Sequence, residues 1–160
     1  MHIQSYCLAR RYIAKLVLLV ATCITTACTP YRLAQNDISL EPMYGHQQKT
    51  AKQLEADRFL IDKARQVFNG DMRMAANDAI KHGVAAMHAR DYERAIRRFN
   101  QAWLFDPTTP QVYESFAGYL VVKGRNQEAL QYLQRAHELD PQDARIQANL
   151  TRLQKAVNGR

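Results

Sequence analysis

The sequence predicts an all-α chain whose folded part is a short array of helical hairpins. Two observations carry that expectation. The first is an internal repeat: Ala95, Phe99, Ala102 and Pro107 recur thirty-four residues later as Ala129, Leu133, Ala136 and Pro141, and ARDYERAIRRFNQAWLFDP aligns with KGRNQEALQYLQRAHELDP without a gap. The second is the spacing inside each copy. An alanine and a large apolar residue four positions later share one helix face, so the small residue lets two helices approach and the large one fills the contact. Asp106-Pro107 and Asp140-Pro141 end the second helix of each copy, because proline lacks a backbone donor and disfavours helix in the residue before it. Asp91 and Lys123-Gly124-Arg125-Asn126 make the turn inside each copy, with Gly124 suited to a left-handed backbone.

A thirty-four-residue period with this Ala, Phe, Ala and Pro spacing resembles the tetratricopeptide repeat, whose unit is a pair of antiparallel helices. In the second copy Tyr113, Phe116, Ala117 and Leu120 stand where the family has its Trp, Leu, Gly/Ala and Tyr; the first copy has Ala79, His82, Gly83 and Ala86 there. The resemblance implies a right-handed superhelix of two repeats.

Taken in order, the chain opens with a basic, acid-free stretch holding Arg10, Arg11 and Lys15, followed by an uncharged run, Leu16–Ala27. That is a secretory signal, residues 1–27, and its apolar run is short against the ~20 residues of a bilayer span. Ile24-Thr25-Thr26-Ala27-Cys28 resembles the lipobox of bacterial lipoproteins, which implies acylation of Cys28; Cys23 is the rival site and an uncleaved inner-membrane anchor the alternative. Several acyl chains, at ~0.8 kcal/mol per buried methylene, anchor a protein firmly. With Thr29 rather than Asp after the cysteine, the resemblance implies an outer-membrane lipoprotein facing the periplasm.

Residues 28–47, with Pro30, Pro42 and Gly45 and no sustained period, read as a flexible tether. Residues 48–70 read as an extra helix with Leu54, Ile61 and Phe68 in a stripe, out of register with the repeat and stopped by Asn69-Gly70. Repeat 1 occupies 71–109 and repeat 2 occupies 110–143. Residues 144–158 continue the register as one capping helix, with Ile146, Leu150, Leu153 and Val157 inward. Two repeats are fewer than the roughly three an array needs for a continuous core, so both ends require covers.

The full chain carries a formal charge of +7, and without the three cations of the signal it is +7 − 3 = +4. Its basic residues are interspersed with acids, which argues against a nucleic-acid partner. All three cysteines lie in the first twenty-eight residues. The five histidines have no metal-ligand spacing, and no nucleophile or phosphate-loop motif is present, so the expectation is a non-enzyme without metal or cofactor. Carrying over the family's concave-face positions gives a candidate peptide groove of Asn77, Ile80, Val84, Met87 and His88 from the first copy. The second copy contributes Gln111, Glu114, Gly118, Val121 and Val122, and the capping helix Arg145, Ala148, Arg152, Lys155 and Ala156. Ile80 and Val84 stand where chaperone-binding members need Lys and Asn, which sets that subclass aside. The expected groove has an apolar floor and a basic rim of Arg145, Arg152 and Lys155. The stripe of Leu54, Ile61 and Phe68 is expected to lie over Ile80, Val84 and Met87, the alternative being an open groove. The expected function is a lipid-anchored protein-binding module scaffolding an envelope complex such as a secretion or pilus apparatus, with a self-associating structural subunit as the alternative.

Overall fold

Most helix starts are written into a local residue. Thr50 and Gln53 form a reciprocal capping box at the start of α1 (Ala51–Val67), and Asp71 accepts the Met74 amide at 2.8 Å to open α2 (Met72–His88). Asp91 does the same for α3 (Tyr92–Phe105), Pro110 takes the first position of α4 (Pro110–Val122), and Asp143 accepts the Arg145 and Ile146 amides to open α6 (Ala144–Asn158). Helix α5 (Asn126–Leu139) starts without a side-chain cap, after Gly124 has turned the chain at φ 75°. The computed structural model describes residues 37–159; within them the fold is all-α, with no strand. The expected signal peptide, the expected acylation of Cys28 and the first part of the expected tether lie outside the described residues.

Packing follows the small and large alternation. The α2 residues Ala76, Ala79, Gly83 and Ala86 face Ala95, Phe99 and Ala102 of α3, all buried. Phe116, Ala117 and Leu120 of α4 meet Ala129, Leu133 and Ala136 of α5, and Ile146 and Leu153 carry the core onto α6. Burying Phe99 and Phe116 completely stabilises by roughly 2–3 kcal/mol each. Neighbouring helices joined by such short turns run antiparallel, so α2, α4 and α6 point the same way.

Two expectations are overturned. Residues 37–47 are not a free tether in the described part: Ile38–Leu40 and Pro42–His46 form two short 3-10 helices strapped onto α3 and the end of α4. The fully buried Asn100 donates its amide to the Ser39 and Glu41 carbonyls at 2.9 and 3.0 Å, and the Tyr119 hydroxyl donates to Leu40 O at 3.1 Å. Arg125 pairs with Glu41 and Arg97 with Asp37. Tyr44 sits over Trp103, and Lys49 stacks on Tyr44 while pairing with Asp57 of α1. These contacts hold Met43, Tyr44, Gly45 and His46 in a left-handed turn, a conformation costing about 1–2 kcal/mol for each residue with a Cβ.

Helix α1 is the other correction. It does not lie over Ile80, Val84 and Met87. It rests on α2 and α3 through Leu60, Ala64 and Phe68, which face Ala75, Ala79 and Phe105 across a crevice of about 190 Å³. Of its residues Ala64 alone is buried; Leu54 is 48% and Phe59 62% exposed. The packing face therefore keeps Phe68 of the seven-residue stripe but not Leu54, because it centres on Ala64, which permits the closest approach.

Candidate protein-binding groove

With α1 elsewhere, the face made by α2, α4 and α6 is an open groove of about 650 Å³. Helix α2 contributes Ile80, Val84, Met87 and His88, helix α4 contributes Gln111, Glu114, Ser115, Ala117, Gly118 and Val121, and helix α6 contributes Arg145, Asn149, Arg152, Leu153 and Ala156. Phe99 and Leu133 form its floor. Among the expected residues Asn77, Val122, Ala148 and Lys155 do not line it. Asn77 lies one turn before Ile80, and Ala148 and Lys155 face a second, shallow depression on the flank of α6 with Gln147, Thr151 and Arg152, whose side chain borders both. Val122 is exposed at the end of α4 just beyond the lip.

The groove has two unlike edges because its helices run parallel. At their C-terminal ends Val84 and Val121 stand 41% and 44% exposed beside Met87, an apolar lip left in water. At their N-terminal ends the edge is polar and internally satisfied. Glu114, only 13% exposed, receives Arg145 Nη1 at 2.6 Å and Asn149 Nδ2 at 2.8 Å, and the Ser115 hydroxyl donates to Gln111 O at 2.7 Å. Arg145 also approaches Asp143, whose carboxyl is held below its ordinary range first by the Ile146 amide and further by the Arg145 amide and guanidinium.

The basic rim is smaller than expected. Arg145 is neutralised by Glu114, Lys155 is on another face, and Arg152 alone stays in the groove without an acid within 4.0 Å among the described residues. Its side-chain contact is Asn149 Oδ1 at 3.4 Å. Compared with protein-family models and with curated proteins, the chain has no match.

Asn149 and Ser115 are groove residues that sequence reading missed. Asn149 sits one turn after Arg145 and one before Arg152 on the same face of α6, a spacing legible in the sequence. Asn100 also went unread, although an asparagine between Phe99 and Ala102 in a packing register signals a buried amide that must find partners. Among the described residues no helix is long and apolar enough to cross a membrane.

Proposed function

We propose that the two hairpins and α6 form a tetratricopeptide-like right-handed superhelix that binds a protein segment in the groove of α2, α4 and α6. In this reading the chain is anchored by lipid on Cys28 to the bacterial outer membrane and scaffolds an envelope complex such as a secretion or pilus apparatus. The observation that carries the reading is the uncovered apolar groove, with Val84 and Val121 standing in water above a floor of Phe99 and Leu133. No catalytic constellation or cofactor is invoked.

The binding half of the reading is tested by photo-crosslinking in cells from a benzophenone residue at Val84 compared with one at Phe59. A discrete envelope product from Val84 supports it; products from Phe59 alone overturn it. The anchoring half is tested with labelled fatty acid. Label entering a Cys28→Ala variant but lost from Cys23→Ala would reassign the site.

The exposed Leu54, Phe59 and Val67 on α1 favour a second reading, a subunit that associates with copies of itself through this terminal helix. A self-crosslinked dimer from Phe59, matched by a dimer mass in light scattering, selects that reading.

A further inference from the structure

Taking the groove as the binding site, we propose that its occupant is an amphipathic helix carrying an aspartate or glutamate that pairs with Arg152. Three features of the groove converge on this. First, the lip of Val84, Met87 and Val121 is apolar, and opposite it Glu114, Arg145, Asn149 and Ser115 are already engaged, which leaves His88, Gln111, Asn126 and Arg152 as the lining side chains with hydrogen-bonding capacity to spare. Along the apolar lip an extended segment would find few partners for its own N–H and C=O groups, whereas a helix satisfies them internally. Second, the groove of about 650 Å³ is lined by three successive parallel helices, α2, α4 and α6, a trough of the kind that seats the apolar face of one helix. Third, the charges lining the groove are Arg145 and Arg152 against Glu114, a surplus of one positive charge located at Arg152. A guanidinium on an apolar surface without a carboxylate partner is complemented by a carboxylate, which it binds in a two-pronged geometry.

This assignment separates two arginines that look equivalent in the sequence. Arg145 belongs to the wall of the groove, because its guanidinium is spent on Glu114. Arg152 is the recognition residue. The polarity of the occupant follows: apolar side chains lie along the α2 and α4 lip, and the carboxylate lies at the α6 end.

The experiment is selection of a random displayed peptide library, with inserts of about sixteen residues or ~24 Å as helix, on the full chain held in detergent micelles. A Gly118→Trp variant serves as the blocked control, since Gly118 lines the groove and nothing lies within 4 Å of a Cβ built there, which leaves room for a larger side chain to enter. The expected result is a set of peptides with apolar residues at helical spacing and an acid to one side, gaining helical circular dichroism on binding and losing affinity with salt. Their affinity should fall about tenfold or more with Arg152→Glu, fall less with Arg152→Lys, which keeps the charge but loses the two-pronged contact, and be restored to Arg152→Glu when the peptide acid is changed to lysine. Selected peptides that lack an acid, ignore Arg152→Glu or bind without gaining helix overturn the acidic helix while leaving the groove as a binding site, provided Gly118→Trp blocks them. Saturable uptake of a fluorescent fatty acid that Gly118→Trp abolishes, with no peptide enriched, overturns it in favour of an acyl chain. Peptides that bind Gly118→Trp as well as the unaltered chain remove the groove reading itself.

Discussion

Replacing two glycines by alanine should move stability in opposite directions, although both sit inside helices and helix propensity favours alanine by about 1 kcal/mol at each. Gly83 lies on α2 against α3. A Cβ built there stands 2.3 Å from Phe99 Cε1 and 2.6 Å from Cδ1, and Phe99 is 1% exposed in the middle of the core. The ring can yield only by leaving its packed position toward the groove that it floors, an overpacking cost of ~1–3 kcal/mol that offsets or exceeds the propensity gain. Gly83→Ala is therefore expected to lose as much as ~2 kcal/mol, the overpacking cost less the gain. At Gly118 nothing lies within 4 Å of the added methyl, so only the propensity gain operates and Gly118→Ala should gain ~0.5–1 kcal/mol. Urea unfolding followed by far-ultraviolet circular dichroism reads both, and the expected gap between the variants is ~1–3 kcal/mol. If both alanines stabilise equally, the close crossing of α2 and α3 at Gly83 is wrong, and with it the explanation for the small residue in the repeat register.

Releasing the strap is expected to be separable from unfolding the helices. Asn100→Ala removes two hydrogen bonds worth ~0.5–1.5 kcal/mol each, which raises the released population roughly 5- to 150-fold; the single tryptophan, Trp103 under Tyr44, should then show red-shifted emission below the main thermal transition, and emission that changes only with helix loss counts against a docked strap. Asp106 should contribute to acid sensitivity. Burial pushes its carboxyl up, but the Thr108 hydroxyl and amide, the Thr109 hydroxyl and Arg73 together hold it below its ordinary 3.8. The folded state is the better acid there, so its contribution is complete above that value and is lost as pH falls through the depressed one; Asp106→Asn should flatten the acid limb of stability against pH, and an unchanged limb contradicts the assignment. Ala136→Leu should lower stability by ~1–3 kcal/mol while Gln134→Leu, on the exposed face of the same helix, changes it little; equal melting temperatures argue against close packing of α4 and α5 at Ala136.

What the sequence by itself determined was whatever depends on residues within about four positions of one another. Asp71, Asp91 and Asp143 cap the turns that follow them, Asp-Pro pairs close α3 and α5, and the Ala, Phe and Ala register identifies the inward face of each hairpin. Most of the groove was legible for the same reason, since Ile80, Val84 and Met87 occupy one face by helical spacing alone. Tertiary structure decided the rest. The strap reads as a tether because its partners, Asn100, Tyr119 and Arg125, lie some sixty to eighty residues away and nothing local announces them. Helix α1 has apolar residues on several faces, so its own pattern cannot say whether Leu54 or Ala64 turns inward; the fit of Ala64 against α2 and α3 makes that choice. The same holds for charge: Arg145 and Arg152 share one face of α6, and only the approach of Glu114 from α4 neutralises the first and leaves the second free to bind.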